Sequence, residues 1–361
     1  MPDAKGKKVL IAAGKTGGHM FPALALAENL RTSGCEVVLI TGGAKIENLI
    51  FQGKSFRTIA LRAPRLKGMR FWQKASGTMR LPWLLLHALA IVRKEAPTVI
   101  IGFGGADSGP VVLAGVLLRK RTAVCEQNAI FGLTNALLAP LVDRVFTSFE
   151  NTKGGFGVRR VEVVGTPIRK EISTVKPKQY ASCVNRILVT GGSQGASFLN
   201  ANIPPVLALV AKDIESLEIL HQTGTGCARE VQERYDALML KARCVDFISN
   251  MASAYEWADF VIARAGASTI AEITAIGIPA LLIPFAKAAD NHQVQNASIL
   301  VKAGAALMFE EKDFSTDKVA SAIRDVLMDP VKLNTTANAS RNLGKRDALE
   351  KLTARVLEMV G

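Results

Sequence analysis

Residues 264–296, RAGASTIAEITAIGIPALLIPFAKAADNHQVQN, carry the pattern that decides the fold of this chain. The apolar run at 260–263 just before them predicts a strand, and the small residues up to Gly266 predict a turn into a helix. A second apolar run at 279–284 predicts the next strand. A strand, a helix and another strand in this order are typical of a parallel α/β sheet.

The start of this helix is a candidate binding site for an anion. Backbone N–H groups in the first turn of a helix lack intrahelical partners, and the positive end of the helix dipole lies there. Ser268 and Thr269 fall in that turn, and Glu272 one turn further could accept hydrogen bonds from sugar hydroxyls. The alternative is that Thr269 and Glu272 form a capping box, T-x-x-E, which only starts the helix.

The same order of elements occurs in both halves of the 361-residue chain, a length typical of two domains. In the first half, a strand predicted at 9–13 leads through a glycine loop into a helix expected over 22–33. In the second half, a strand predicted at 186–190 leads through another glycine loop into a helix that starts at Ala196. The repetition predicts two doubly wound, Rossmann-like α/β domains with a cleft between them.

The remaining apolar runs complete the two predicted sheets. Further strands are expected at 36–41, 99–101, 123–124, 144–147 and 161–164 in the first half, and near 217–220, 244–248, 260–263 and 280–284 in the second. The predicted domains are residues 1–168, residues 169–340, and a C-terminal helix at 341–361 that packs back on the first domain.

Three glycine-rich loops follow predicted strands, at 14–19, 102–109 and 191–195. The first contains G-K-T, the end of a Walker A motif, but that motif needs a glycine at position 9, where the chain has valine. The dinucleotide fingerprint G-x-G-x-x-G is also absent from this loop. Glycines let a backbone approach a phosphate or a sugar closely. One such loop could be an ordinary tight turn, but three at strand ends predict a pyrophosphate-binding cleft.

His19 lies where the first loop meets its helix. A single histidine in such a place is often structural. A helix N-terminus disfavours the charged imidazole, and a neutral imidazole there could act as a base or as a hydrogen-bond partner of a ligand. The residues themselves leave both interpretations open.

Composition limits the class of protein. Hydrophobic residues make up 49% of the chain and charged residues 21%, as in a well-packed globular protein. The five cysteines are scattered and never occur in C-x-x-C spacing, which argues against a disulfide framework or a zinc site and indicates a reducing cytosol. No apolar run approaches the roughly 18 residues of a transmembrane helix, and the N-terminus has no signal-peptide pattern.

The net charge of +14 is concentrated in one stretch, residues 54–94, which holds ten basic residues and no acidic one. The stretch also contains two tryptophans and an apolar segment at 81–92, which predicts an amphipathic helix at an interface. Basic residues beside anionic lipid contribute about 1 kcal/mol each, so we predict docking on an anionic membrane surface. The alternative is a packed helix with a solvated basic loop. Nucleic acid is disfavoured as a partner, because the chain has no recognisable nucleic-acid motif and only 6% aromatic residues.

Nine segments, in order along nearly the whole chain, match the motifs of one known family. They are AGKTGGHMFPALALA at 13–27, GFGGADSGP at 102–110, EQNAIFGLTN at 126–135, VGTPIR at 164–169, GGSQGA at 191–196, HQTG at 221–224, FISNMASAYEWAD at 247–259, RAGASTIAEI at 264–273 and GIPALLIPFAKAADNHQVQNA at 277–297. On these residues the chain resembles the MurG family of glycosyltransferase family 28, enzymes of peptidoglycan synthesis.

The resemblance implies a GT-B fold and an inverting transfer without a metal ion or a cofactor. The implied donor is UDP-N-acetylglucosamine, and the implied acceptor is the 4-hydroxyl of undecaprenyl-linked muramyl-pentapeptide. It implies a peripheral protein on the cytoplasmic face of the inner membrane that serves cell-wall growth, cell shape and division, with other cell-wall synthesis proteins as candidate partners.

The resemblance also implies the site residues, position by position. Ile248 would meet uracil through its backbone, Glu272 the ribose hydroxyls, and Ser193 with the helix start the diphosphate. Arg169 would add positive charge, and Gln293 and Asn296 would bind sugar hydroxyls. The full set of implied donor contacts is Thr16, Gly17, Gly18, Asn128, Arg169, Ser193, Ile248, Ala267, Ser268, Thr269, Ile270, Ala271, Glu272 and Gln293.

The acceptor side is implied to lie in the first domain. Its diphosphate would meet the first two glycine loops, at Gly14, Lys15, Gly104, Gly105 and Ser108. A base would take the proton of the attacking hydroxyl, with His19 as the first candidate and Glu126 as the second. Departing UDP would be stabilised by the helix dipole and Arg169.

The chain departs from the family pattern in both acceptor loops. Lys15 replaces a glycine and could either contact a phosphate or crowd the pocket. Ala106 and Asp107 replace an aromatic and an aliphatic residue, which removes bulk and adds a negative charge near the expected anion site. Two other functions remain as alternatives: another GT-B enzyme such as a UDP-N-acetylglucosamine epimerase, and a non-catalytic nucleotide-sugar-binding scaffold at the membrane surface.

Overall fold

The computed structural model describes residues 5–14, 16–43, 56–61, 81–155, 157, 160–182, 184–192, 194–288 and 291–361. The chain forms two compact units: Met1–Arg169 together with Asp347–Gly361, and Lys170–Arg346. Each unit has its own parallel sheet with helices. The predicted fold class, two Rossmann-like α/β domains, is confirmed.

The first unit is built on a seven-stranded sheet in which all neighbouring strands pair in parallel. Its spatial order is β3-β2-β1-β4-β5-β6-β7, with β1 Lys8–Ala12, β2 Glu36–Thr41, β3 Arg57–Ala60, β4 Val99–Gly102, β5 Arg121–Glu126, β6 Arg144–Thr147 and β7 Val161–Val163. The strand order therefore reverses between β1 and β4. Open α/β sheets bind ligands at such a switch point, outside the carboxyl ends of the strands.

Helices cover both faces of this sheet, which is why its central strands consist almost wholly of buried apolar residues. One face packs against α1 (Gly17–Thr32) and the last helix of the chain, α13 (Ala348–Val360). The other face packs against α2 (Leu81–Glu95), α3 (Gly109–Leu117) and α4 (Leu133–Leu138).

The second unit has a six-stranded parallel sheet with the order β10-β9-β8-β11-β12-β13. Its strands are β8 Arg186–Thr190, β9 Glu218–Gln222, β10 Lys241–Val245, β11 Phe260–Ala263, β12 Ala280–Leu282 and β13 Leu307–Met308. The order reverses between β8 and β11, so the loops that leave these two strands lie side by side at the switch point.

The helices of the second unit follow the same alternating pattern. They are α5 Lys170–Ser173, α6 Ser197–Val210, α7 Ala228–Ala237, α8 Met251–Trp257, α9 Ala267–Ile276, α10 His292–Lys302, α11 Thr316–Leu327 and α12 Pro330–Leu343, with a short 3-10 turn at Glu311–Asp313. One hydrophobic cluster contains buried side chains of α6, α11 and the sheet.

Several element boundaries differ from the sequence predictions. Helix α1 begins at Gly17 and not at Pro22, which lies inside it and gives up one helical hydrogen bond. Strand β10 ends at Val245, so the prediction of a strand at 244–248 is wrong and Ile248 lies beyond it. Strands β3 and β13 were not predicted, because β3 is largely exposed and β13 has two residues.

Helix α2 begins within the basic stretch and ends one residue beyond it, at Glu95, which is buried in ion pairs with Lys8 and Arg57. Residues 54, 55 and 62–80 of that stretch lie outside the described residues. Among the helices of the described chain, none is long and apolar enough to cross a bilayer.

Candidate active site

At the switch point of the first sheet, two of the glycine loops lie directly against each other. A Cβ atom built on Gly105 would be only 2.7 Å from the Cα of Gly14, and one built on Gly14 would be 3.0 Å from the Cα of Gly105. Gly104 and Gly105 have φ angles of +85° and +83°, in the left-handed region that favours glycine. The sequence needs glycine here so that the two backbones can touch.

The imidazole of His19 packs against these loops from the first turn of α1. Its Nδ1 lies 3.0 Å from Thr16 Oγ1, and a Cβ built on Gly104 would be 3.3 Å from its Nε2. When Nδ1 donates its proton to Thr16, Nε2 carries the lone pair of the neutral ring and can accept a proton. Because a hydroxyl can also donate to Nδ1, the contact with Thr16 orients the ring and is compatible with either neutral tautomer.

Glu126, the last residue of β5, is buried and surrounded by donors. Its Oε1 accepts from the backbone N–H and the Nδ2 of Asn128, at 3.0 and 3.1 Å. Its Oε2 accepts from the N–H of Gly132 and from Asn135 Nδ2, at 3.0 and 2.9 Å. Four N–H donors match the roughly four lone-pair sites of an ionised carboxylate. A proton on Glu126 would remove one of these bonds, so the geometry argues for a clamp on the 128–135 loop and against a base.

The end of the second glycine loop is fixed from within. Ser108 is fully buried, and its hydroxyl donates to the Gly105 carbonyl at 3.0 Å. This hydroxyl is therefore engaged inside the loop. The side chain of Asp107 is buried as well, so its negative charge is not presented at the loop surface, whereas Ala106 is exposed. Lys15, the other departure, lies outside the described residues.

At the switch point of the second sheet, the loop after β8 packs on the loop after β9. Gln222 Nε2 donates to the Gly192 carbonyl at 2.8 Å, and a Cβ on Gly195 would clash with the Thr223 carbonyl oxygen at 2.1 Å. Through these contacts the HQTG segment at 221–224 holds the glycine loop at 191–195 in one conformation. Ser193, the predicted diphosphate contact in this loop, lies outside the described residues.

Helix α9 follows β11 and begins at Ala267, with Gly266 as its N-cap. The capping-box interpretation is therefore wrong, because such a box pairs the N-cap with the third helical residue, whereas Thr269 is third and Glu272 is sixth. The N-cap makes no side-chain hydrogen bond to the first turn, and the positive end of the helix dipole lies there. Ile270 can offer no backbone N–H to a ligand, because its N–H bonds to the Gly266 carbonyl and its side chain is buried.

Glu272 lies one turn further along α9 and is 7% exposed. Its Oε2 accepts a hydrogen bond of 2.9 Å from the hydroxyl of Tyr255, which comes from α8 and is also buried. The neutral hydroxyl holds the carboxylate in one orientation. Glu272 is therefore a pre-positioned acceptor beside the helix start, as the binding of sugar hydroxyls requires.

Two polar residues of α10 behave differently from each other. Gln293 Oε1 accepts from the N–H of Phe285 at 2.9 Å, and the residue remains partly exposed. Asn296 is fully buried, and its Nδ2 donates to the Ala265 carbonyl at 3.2 Å. Asn296 therefore supports the turn before α9.

The other predicted contacts fall in both units. Ile248 is half-buried in the segment after β10, which is the edge strand at the opposite end of the sheet order from β12 and β13. Arg169 is the last residue of the first unit, and its guanidinium carbon lies 5.0 Å from the ring centroid of Phe21 in α1. Thr16, Gly17, Gly18 and Asn128 belong to the first unit, while Ala267 to Glu272 and Gln293 belong to the second.

The sequence reasoning missed the residues that support these groups. Asn135, Gln222 and Tyr255 lie inside the matched motifs, but nothing in the local pattern indicates that they bond Glu126, Gly192 and Glu272. Each of these bonds joins residues that are 9 to 30 positions apart.

His221 in β9 is fully buried, one residue before Gln222, which bonds the loop after β8. Its Nδ1 lies 3.0 Å from the hydroxyl of Tyr235, and within the described residues its Nε2 has no partner. Burial lowers the pKa of His221 to about 3. The folded protein therefore holds this imidazole neutral across the physiological range.

This burial predicts acid sensitivity. The unfolded chain protonates His221 near its ordinary pKa of 6.5 and the folded chain only near 3, so the stabilisation is complete above pH 6.5 and is lost as the pH falls towards 3. Between pH 7 and pH 5 the free energy of unfolding is expected to fall by about 2 kcal/mol from this residue alone. Urea unfolding at the two pH values measures it. His221→Gln keeps a partner for Tyr235 but does not titrate, and an equal pH dependence in this variant would contradict the assignment.

Comparison with known proteins gives a consistent result over both units. The glycosyltransferase family 28 N-terminal domain matches residues 9–147, and the C-terminal domain of the same family matches residues 186–352. A relative from Syntrophus aciditrophicus is 39% identical over 98% of this chain and 99% of its own length. Its name is UDP-N-acetylglucosamine–N-acetylmuramyl-(pentapeptide) pyrophosphoryl-undecaprenol N-acetylglucosamine transferase.

Solved structures agree with this relation. The crystal structure of MurG from Acinetobacter baumannii has a TM-score of 0.80 and 29% identity, with 98% of this chain and 99% of that chain covered. A UDP-N-acetylglucosamine 2-epimerase from Listeria monocytogenes has a TM-score of 0.70 but only 14% identity, with 97% and 96% covered. At 14% identity this likeness shows a shared fold alone.

Proposed function

The chain belongs to glycosyltransferase family 28, in its MurG branch, and we propose that it transfers N-acetylglucosamine from UDP-N-acetylglucosamine to the 4-hydroxyl of undecaprenyl-pyrophosphoryl N-acetylmuramyl-pentapeptide. This reaction makes the disaccharide unit of peptidoglycan. The observation that carries the proposal is the start of α9, where a glycine N-cap and a buried, pre-oriented Glu272 lie together at the switch point of the second sheet.

The donor is proposed to bind the second unit. The N–H groups at the start of α9, with the loop after β8 beside them, suit the diphosphate of UDP, because helix N-termini attract anions. Glu272 suits the ribose hydroxyls, since an ionised carboxylate accepts hydrogen bonds and donates none. Gln293 suits the hexose, and the backbone around Ile248 suits the uracil.

The acceptor is proposed to bind the first unit. The touching glycine loops present backbone to a diphosphate, and His19 lies against them with Thr16 as the partner of its Nδ1. In the proposed step, Nε2 of His19 takes the proton of the 4-hydroxyl while that oxygen forms a bond to the anomeric carbon. The bond from that carbon to UDP breaks, and the leaving electron pair stays on the diphosphate, which the α9 dipole and Arg169 stabilise.

A membrane surface is proposed as the docking partner, because the acceptor carries a polyprenyl chain. The docking surface consists of exposed apolar side chains on three packed helices of one sheet face: Trp83 and Leu86 on α2, Leu117 on α3, and Leu133 and Leu137 on α4. Trp83 is 76% exposed and Leu133 71%, so both side chains are available to enter an interface. We propose a peripheral location on the cytoplasmic face of the inner membrane.

Docking predicts a specific loss. The double substitution Trp83→Ser and Leu86→Ser is expected to weaken binding to vesicles with anionic lipid by about tenfold or more. The reason is that burial of each apolar side chain in the interface would contribute roughly 1 kcal/mol or more to the free energy of binding. Vesicle sedimentation measures it. Val331→Ser, which changes a residue of similar exposure in the second unit, is the matched control. Equal binding by the double variant and the wild type would rule this surface out.

Two other functions share features with this one. A UDP-N-acetylglucosamine epimerase has the same fold, but it would need no lipid acceptor and no docking surface. A non-catalytic scaffold would bind UDP-N-acetylglucosamine without turning it over. The 39% identity to named transferases over nearly the whole chain favours the transferase over both.

One incubation separates the three. The protein is mixed with labelled UDP-N-acetylglucosamine and a water-soluble analogue of the lipid acceptor, with and without a chelator. Formation of the disaccharide product in both samples is the expected result. Free 2-epimer sugar without acceptor would indicate the epimerase, and donor binding without any product would indicate the scaffold.

A further inference from the structure

Arg264, the first residue after β11, lies buried beside the proposed donor site and has no role in the steps above. It is 7% exposed, and its Nη1 donates to the carbonyls of Ile283 and Pro284 at 3.1 and 3.2 Å. The same nitrogen lies 2.7 Å from Oε1 of Glu311. A guanidinium in so enclosed a place requires partners of this kind, because an unpaired buried charge costs several kcal/mol.

Two aromatic rings complete the surroundings of this guanidinium. Its central carbon lies 5.6 Å from the ring centroid of Phe198 and 5.4 Å from that of Phe285. Arg264 therefore joins the end of β11 to the segment that leaves β12, while Glu311 holds it from the short 3-10 turn. Such a planar, multiply bonded side chain fixes its neighbours more tightly than a lysine could.

The segment held in this way is the one that orients Gln293. The N–H of Phe285 donates to Gln293 Oε1 at 2.9 Å, and the N–H of Ala286 faces Glu311 Oε1 at 3.4 Å. Because Oε1 is turned towards Phe285, the two N–H donors of Nε2 point elsewhere, and in the described part of the chain they have no partner. A fixed pair of N–H donors is suited to accepting oxygens such as sugar hydroxyls.

We propose that Arg264 and Glu311 are positioning residues for the hexose of the donor: they hold the Phe285–Ala286 segment, which in turn fixes the Gln293 amide that meets the sugar. The proposal rests on the proposed function, because it takes UDP-N-acetylglucosamine as the donor. The diphosphate and ribose contacts are assigned to α9 and Glu272, so the proposal expects them to change little when the Arg264–Glu311 pair is broken.

The test compares two ligands that differ only in the hexose. Glu311→Ala is expected to raise KM for UDP-N-acetylglucosamine about tenfold, the size of effect typical of one lost polar contact, and to change the inhibition constant of UDP less than about twofold. Glu311→Gln keeps an acceptor oxygen for Arg264 and is expected to rescue most of the loss. Glu310→Ala, which removes the neighbouring carboxylate and its ion pair with Lys312, is the matched control.

A merely structural role would weaken the two ligands equally, and that result would overturn the proposal. The second measurement is a double-mutant cycle, in which KM is determined for Glu311→Ala, for Gln293→Ala and for the double variant. If Glu311 acts through Gln293, the double variant has the KM of Gln293→Ala alone, whereas independent, multiplying effects would contradict the proposal. If the wild type binds UDP and UDP-N-acetylglucosamine but forms no disaccharide product, the proposed function fails, and the ligand comparison still decides the positioning role through the two dissociation constants.

Discussion

Replacement of His19 by alanine is expected to lower kcat by about 10²- to 10⁴-fold, the range typical of a lost general base. Affinity for UDP should change little, because the ring lies in the first unit, whereas the α9 start and Glu272, the proposed diphosphate and ribose contacts, lie in the second. The measurement is turnover with the acceptor analogue, together with calorimetric binding of UDP. Near-full turnover in this variant would show that His19 is not the base.

The pH dependence separates His19 from Glu126. A base loses activity as it becomes protonated, so the wild-type rate should fall on the acid side, and this fall should disappear in the residual activity of His19→Ala. Glu126→Gln is expected to lower the rate by loosening the 128–135 loop, since two donors would then face an NH₂ group, but to keep the acid limb at the same pH. Loss of the limb in Glu126→Gln and its survival in His19→Ala would reverse the assignment.

The fold could be predicted from the sequence because its signals are local and repeated. An apolar strand, a glycine loop and a helix start occur at the switch point of each sheet, and parallel strands buried on both faces leave continuous apolar runs. Strand predictions failed where a strand lacked a continuous run of apolar residues. The exposed strand β3 has no such run, and in β10 the alternation of exposed and half-buried residues hid the true start at Lys241.

The site was less predictable, because its decisive contacts join distant residues. Motif matching found Glu126, Glu272 and Gln293, but their orientation depends on Asn135, Tyr255 and Phe285. No periodicity encodes these pairs. Asn296 illustrates the same limit: its side chain donates to the Ala265 carbonyl in the turn before α9, and nothing in the local sequence indicates this contact.

Glu272→Ala is expected to raise the dissociation constant of UDP about 10- to 100-fold, since hydrogen bonds to a charged group contribute roughly 1.5–3 kcal/mol. Folding is affected too, because the substitution leaves the buried Tyr255 hydroxyl without this acceptor, at a cost of about 1–3 kcal/mol. Isothermal titration with UDP and urea unfolding measure the two effects separately.

The two effects can be uncoupled by a second substitution. The double variant Glu272→Ala with Tyr255→Phe lacks the Tyr255 hydroxyl that had donated to Glu272. Part of the lost stability should therefore return, while UDP binding stays weak. A UDP analogue without the two ribose hydroxyls adds the matching control on the ligand side. It should bind the wild type and Glu272→Ala equally, because the carboxylate then has nothing to accept. If the analogue lost affinity in step with UDP, Glu272 would act by shaping the start of α9, and the ribose contact would have to be assigned to another group.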